Sequence, residues 1–373
     1  MVLPTSRNPI SFSQIEAEFG GNATNSFGGY RLGTPETIGG KTFNELDTDI
    51  PTSGTINYGS FSGKRVHVVV DCHSGSDENR INARTKYNSN NVDMVGETIL
   101  NSPKAARNAS DSSGHRICVR VNKSIGSEKT ALDNVALRTG SWENGTPVTV
   151  DIGGSGKILG AGGDGGDGAA HDQTSGSGGD GTSGLGIEYN ETNVFLENNA
   201  LISSGYGGGG GGAGCKTETE EFMADESFRG QGGAGGGGAG LPNGTAGTAY
   251  VDGSVPPANG TLTEGGQGGW GENGGGDAGN ETATDAIGGT GGNGGDAAAA
   301  AQVGGQGGAS NTGRGSGSCE EGGTAGAAGN AGTAIRKAND ETWYVLTNNL
   351  GGAVTGTQAN TAAESGGDNI TVS

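Results

Sequence analysis

Apolar residues are spaced in two different ways along the first part of this chain. Near the N-terminus Phe12, Ile15 and Phe19 fall on one helical face, Ser13 with Glu16 fits a capping box, and Gly20 and Gly21 stop the turn. This spacing predicts a helix of about two turns, too short to bury its apolar face within itself. It is expected to dock on another subunit or on the chain's own β domain. Further on, apolar residues gather in short β-type runs near 55–58, 64–71, 116–121 and 147–152. These runs predict an antiparallel, sandwich-like β domain, with the polar stretches 74–91 and 101–114 as loops. Val194, Leu196, Ala200 and Ile202 form a further strand pattern that leads into a glycine run after Tyr206.

Glycine changes the picture after residue 150. Residues 1–150 hold 16 glycines, 151–333 hold 62 and 334–373 hold 5. Only Pro242, Pro256 and Pro257 fall in the rich region and no strict G-X-Y register is kept, which argues against a collagen triple helix. Local runs nevertheless keep a period of three: GGDGGDG (162–168), GGAGG (232–236), GGQGGWG (265–271), GGTGGNGGD (288–296), GGQGG (304–308) and GTAGAAGNAG (323–332). Three is the repeat of a polyproline-II-like helix, which makes no internal hydrogen bonds. Each run therefore carries a donor and an acceptor per residue that a neighbouring run can satisfy, and glycine permits that approach. Such composition also suits disorder. The segments between runs, 187–202, 215–228 and 342–346, carry apolar and aromatic residues that a flexible linker does not need. The fold expected is mainly β with a non-regular glycine-rich part: an N-terminal attachment segment (1–50), the antiparallel β domain (51–150) and a polyglycine-II-like bundle (151–373).

Charge and motif content narrow the function. Lys plus Arg number 21 against 41 Asp plus Glu, a net charge of −20, which repels phosphate backbones and anionic membranes alike. The longest β-type apolar run, Val66 to Val70, is far too short to span a bilayer, and the first residues do not read as a secretion signal. Nucleic acid and membrane insertion are set aside, and no cofactor is expected. GGKT (39–42) ends like a P-loop, but Pro35 stands where its first glycine belongs. His67, His73, His115 and His171 form no HExxH pair, and no serine sits in GxSxG, so the common hydrolase layouts are missing. The chain is read as non-enzymatic. GGDGGDGAA (162–170) and GGNGGDAAA (291–299) match a calcium-binding nonapeptide pattern and offer Asp167 and Asp296 as ligands, but that fold needs tandem copies and each match is isolated. The four cysteines read first as buried thiols. The sharper alternative pairs Cys72 with Cys118 and Cys215 with Cys319, bonds that a chain made in a reducing cytoplasm gains only after leaving it.

The string ISFSQIEAEFGGNATNSFGGYR (10–31) resembles the opening of many tail-associated proteins of tailed phages, especially those of marine and cyanobacterial hosts; Ile10, Ser11, Ser13, Gln14, Ile15, Glu18, Phe19, Gly20, Gly21, Tyr30 and Arg31 keep the pattern. IPTSGTINYGSFSGK (50–64) resembles the segment that follows in them. The GG-x-GG runs, GTAGAAGNAGTAI (323–335) and TWYVLTNNLGGAVTG (342–356) resemble the glycine-rich adhesins at the tips of long tail fibres, in which polyglycine-II helices pack together and the loops between them contact the host. The loops here are longer and more acidic than that family leads one to expect. The resemblance implies a virion component, a tail fibre or tail-tip adhesin, whose partners are other tail proteins and a host surface polysaccharide or outer-membrane receptor. A purely architectural particle protein, such as a capsid decoration or baseplate part, is the alternative, and the oligomeric state, a homo-oligomer included, stays open. Aromatic anchors concentrate binding energy, so the receptor-binding candidates are Phe222, Met223, Phe228, Tyr250, Trp270 and Glu272. Attachment to the particle is assigned to Phe12, Ile15 and Phe19.

Overall fold

The structure, a computed structural model, describes residues 9–19, 27, 37–38, 41–42, 54–62, 66–72, 78–88, 93–95, 115–129, 134–170, 172–190, 192–221, 224–249, 256–271, 273–274, 285–297, 308–310, 321–338, 344–347 and 351–358. Its repeating unit is a coil of three strands. The first coil holds Val66–Asp71, Glu78–Asn79 and Ile81–Asn82. The second holds His115–Val121, Ser124–Gly126 and Val135–Arg138. The third holds Val148–Ile152, Lys157–Leu159 and Ser183–Ile187. The fourth holds Thr192–Leu196, Leu201–Ser203 and Thr333–Lys337. The fifth holds Tyr344–Thr347, Ala353–Thr355 and Thr357–Gln358. Equivalent strands of successive coils pair in parallel, so the coils stack into a three-faced solenoid.

Like residues stack on like through this solenoid. Val70, Val119, Val150, Val194 and Leu346 form one register column on the first face. Ile125, Ile158, Ile202 and Val354 form one on the second, and Ile81, Leu137, Leu185 and Ile335 one on the third. All thirteen belong to or pack on a single core, which explains why so few apolar residues suffice.

Several expectations are corrected. The solenoid sheets are parallel where an antiparallel domain was expected, because consecutive strands turn a corner onto the next face instead of folding back as a hairpin. A run of apolar residues followed by a turn signal does not encode strand direction. Among the described residues of the solenoid sheets, only Asp93–Val95 adds in antiparallel fashion, on the edge of the first face. Tyr58–Phe61, within a segment expected to be strand up to residue 58, is a short 3-10 helix with a capping box from Asn57 and Ser60. The expected loop 74–91 contains two strands and the helix Ala83–Asn88, whose Asn82 Oδ1 accepts from Thr85 N at 3.1 Å. Arg84 then anchors this helix on Glu143 and lies 5.0 Å from the Trp142 ring centre. Residues 101–114 lie outside the described residues.

The N-terminal helix Phe12–Phe19 forms as its spacing predicts. Its capping box is Ser11 with Gln14, not Ser13 with Glu16: Gln14 N donates to Ser11 Oγ and Ser11 N to Gln14 Oε1. Of the two docking options, the helix takes its own chain. Ile15 is fully buried in the same core as Val70 and Ile81, and Phe12 meets Phe27, which contacts Phe61 and the edge of Tyr58. The side chain of Phe19 lies outside what is described. Residue 150 marks a change of composition, and the sheets draw strands from both sides of it.

Candidate functional site

The glycine runs enter the solenoid as insertions in two coils. Run 160–169 leaves directly from Lys157–Leu159 and run 175–182 returns into Ser183–Ile187. Run 204–214 leaves from Leu201–Ser203, and run 323–332 returns into Thr333–Lys337. The side from which they leave is the proximal end of a bundle; the other is distal.

Hydrogen bonds within the bundle recur every third residue. Gly163, Gly166 and Ala169 donate to Tyr206, Gly209 and Gly212. Tyr206, Gly209 and Gly212 donate in turn to Ala239, Gly236 and Gly233. Gly205, Gly208 and Gly211 donate to Thr182, Gly179 and Gly176. Successive residues of one run thus address different neighbours, and run 231–240 bonds to segments 160–169, 204–214, 242–248, 258–261, 264–271 and 288–295. The packing excludes side chains: a Cβ on Gly232 would lie 1.7 Å from Gly212 O, and one on Gly238 2.0 Å from Tyr206 O.

Polar side chains brace the outer runs. Asp164 Oδ1 accepts from Thr245 N, from Thr245 Oγ1 and from Lys129 Nζ, which stands in the second coil of the solenoid. Burial alone would raise the Asp164 carboxyl, but these hydrogen bonds and the Lys129 charge hold it below its ordinary value. Asn259 Oδ1 accepts from Ala246 N, and Asn293 Oδ1 from Gly268 N. Sequence reasoning missed these braces. For Asp164 and Asn293 the signal was the Asp or Asn that fills the third place of a GG-x triplet, as in GGD and GGN; Asn259, in Ala258-Asn259-Gly260, carries no such signal.

The registers fix where the connections lie. Leu241 bonds to Gly160 and Gly232 to Ala169, so run 231–240 travels inward; Gly289 meets Ala213, so 288–295 does the same. Runs 242–248 and 264–271 travel outward. Four connections therefore leave and return at the distal end, namely 170–174, 215–230, 272–287 and the one that closes on 321–322; a fifth, 249–257, leaves there after Thr248 and returns lower down, where Gly237 N donates to Ala258 O. Two small antiparallel sheets mark this end. Cys215–Glu221 pairs with Ala224–Gly230 and Glu321–Gly322, and Asp285–Ile287 pairs with Asn273–Gly274 and Gly308–Ser310. The two sheets lie against each other.

The candidate residues divide accordingly. Trp270, near the end of an outward run, is 63% exposed. Phe228 sits opposite Thr217 in the distal hairpin, its side chain outside what is described. Phe222, Met223, Tyr250 and Glu272 lie outside the described residues, within distal connections. Asp167 Oδ1 accepts from Thr248 N at 2.6 Å, and Asp296 Oδ2 from Gly265 N at 3.5 Å. Among the described residues no three His, Cys, Asp or Glu side chains gather as a metal site.

Cys72 and Cys118 are both buried thiols, and the pairing between them is not formed. Cys118 is in register with Val69, while Cys72 follows Asp71, the partner of Arg120. Three strand positions, about 10 Å along the chain, separate the two, beyond the reach of a disulfide. Cys215 is disulfide-bonded, and Cys319 lies outside the described residues.

A family model described as phage tail fibre adhesin Gp38 matches residues 80–372. No curated protein and no solved structure matches the chain.

Proposed function

The chain belongs to the phage tail fibre adhesin Gp38 family and is a structural component of a virion tail fibre, and from that premise we propose how its parts divide the work. The distal connections of the bundle bind the host surface, and the solenoid is the mount that holds them. One observation carries this reading: the connections that contain Phe222, Met223, Phe228 and Glu272 leave and return at the end farthest from the solenoid, and the one that contains Tyr250 leaves from that end. Binding residues on loops held by a rigid scaffold are the usual arrangement.

The runs themselves are read as polyglycine-II helices. The three-residue recurrence of their hydrogen bonds and the six neighbours of run 231–240 support this. At about 3.1 Å per residue, run 204–214 carries the distal end roughly 30 Å from the solenoid. Trp270, with Phe222, Met223, Phe228, Tyr250 and Glu272, supplies contacts to a surface polysaccharide or an outer-membrane receptor. The first 50 residues attach to other tail proteins, with Phe12 and Ile15 holding that segment on the first coil. The opening motif at 10–31 supports a phage of a marine or cyanobacterial host. Asp167 and Asp296 are the places where calcium, if used, would be sought.

The test is to compare Trp270→Ala virions with wild type. A loss of adsorption at unchanged thermal stability and unchanged incorporation supports the assignment. Normal adsorption of both Trp270→Ala and a variant with the 215–230 hairpin replaced by a short glycine-serine turn overturns it.

A further inference from the structure

We propose that the solvent side of run 264–271 is a binding strip for an extended, uncharged glycan chain, which lies along the bundle across Glu264, Gln267 and Trp270. This rests on the reading of the protein as a host-binding adhesin and gives that reading a ligand class.

The run is EGGQGGWG, so its side chains fall at every third position. A turn of three residues places those positions on one side, and all three are exposed. The glycines between them face neighbouring backbone. A Cβ on Gly265, Gly268 or Gly271 would lie 2.1, 2.1 and 2.3 Å from the carbonyl oxygens of Gly294, Gly291 and Gly288. On the inner side Gly266 N and Gly269 N donate to Gly237 O and Ala234 O. On the flanks Ala258 N donates to Gln267 O, and Gly268 N to Asn293 Oδ1. The backbone under the strip is therefore held from three directions. At about 3.1 Å per residue, Glu264 and Trp270 stand roughly 19 Å apart, room for several sugar rings in line.

The side chains of the strip differ from others in the bundle because they brace nothing. Asp164 folds back onto Thr245, Asp167 onto Thr248, Asn259 onto Ala246 and Asn293 onto Gly268. Glu264, Gln267 and Trp270 carry longer side chains, and among the described residues none of those side chains makes a hydrogen bond. Trp270, 63% exposed, contributes little to the packing of the bundle. A large aromatic side chain held out to solvent on a fixed backbone is suited to contact with a ligand.

The chemistry selects that ligand. The indole face of Trp270 stacks on the C–H face of a pyranose ring. The Gln267 carboxamide donates to and accepts from sugar hydroxyls, and the Glu264 carboxylate accepts from them. An anionic glycan is repelled by Glu264 and by the net charge of −20. A protein receptor fits less well, since a stable protein interface buries about 800 Å² on each side around an apolar centre, and this run has one large apolar side chain flanked by glycine. Because its backbone is fixed, the strip presents its groups in line before the ligand arrives, which strengthens binding.

The experiment uses the full chain and protein-free polysaccharide from the host on which the phage grows, separated by ion exchange into neutral and anionic fractions, with binding read by calorimetry. The neutral fraction is expected to bind. Trp270→Ala is expected to weaken it about tenfold, and Gln267→Arg, which puts bulk in the middle of the strip, to do the same. Trp270→Phe keeps a stacking face and is expected to lose less than Trp270→Ala. Ala327→Arg, exposed on run 323–332, is expected to bind like wild type, with thermal melts unchanged in all four variants. Binding of the anionic fraction alone, binding of neither fraction, or wild-type affinity in Gln267→Arg overturns the strip. None of those results touches the adhesin reading, which fails on a separate measurement: particles lacking this protein that adsorb as well as wild type.

Discussion

Gly235 stands so close to Gly209 that a Cβ on the first would lie 2.0 Å from the carbonyl oxygen of the second. Gly235 N also donates to Gly166 O at 2.8 Å, and Gly209 N to Gly236 O at 2.8 Å. The backbone is thus the packing surface itself, held on several sides at once, and it has no room to give.

Gly235→Ala should therefore abolish the bundle, with loss of slow amide exchange across 204–240 while the solenoid strands stay protected. Gly145→Ala is the contrast. Gly145 has φ +81° and nothing within 4 Å of its would-be Cβ, so only backbone strain of about 1 kcal/mol opposes the change. If Gly235→Ala is as mild as Gly145→Ala in a thermal melt, the backbone-core description fails.

Ile158 sits fully buried between Ile125 and Ile202 in the second-face column. Ile158→Ala should cost about 2–5 kcal/mol, read by chemical denaturation of the strands, because a rigid stack refills the lost volume poorly. A cost under about 1 kcal/mol would mean the column is loosely packed.

Acid should loosen the bundle from the solenoid. The Asp164 carboxyl is held below its ordinary value, so its contribution is complete above the ordinary carboxylate range, near pH 4, and fades as pH falls through the folded value. Asp164→Asn should remove this dependence, with stability of the region where Lys129 and Thr245 meet Asp164 becoming flat in that window. An unchanged acid profile in the variant would exclude Asp164 as its source.

Alkali should act at the other end. Burial pushes the Tyr344 hydroxyl up to about 12, so the folded state keeps its proton where the unfolded chain, near pH 10, has released it. The stability present below pH 10 is lost as pH rises toward about 12. Tyr344→Phe should flatten that decline in a denaturation series; a decline of the same slope in the variant would count against this residue.

Much was legible in the residues alone. The helix at 12–19, the strands around Val66, His115 and Val148, and the three-residue period of the glycine runs follow from local spacing, which needs no knowledge of distant partners. The resemblance of the opening string 10–31 and of the glycine runs to phage tail proteins pointed to the same functional class that the family match gives. The capping box was misassigned by two residues because Ser11 and Ser13 both precede an acceptable N3 partner, Gln14 or Glu16.

Other features were decided only by the tertiary structure. Whether Val70, Val119, Val150 and Val194 fold back on one another or stack in parallel depends on corners that carry the chain to a different face, and an apolar run has no direction. That the glycine region is inserted within the third and fourth coils, rather than following the β part, depends on Thr333–Lys337 pairing with Ser183–Ile187 across an insertion of more than a hundred residues. The grouping of the distal connections has the same origin. It comes from hydrogen-bond registers between distant backbones, and glycine, which has no side chain, leaves no mark in the sequence of which run its backbone will meet.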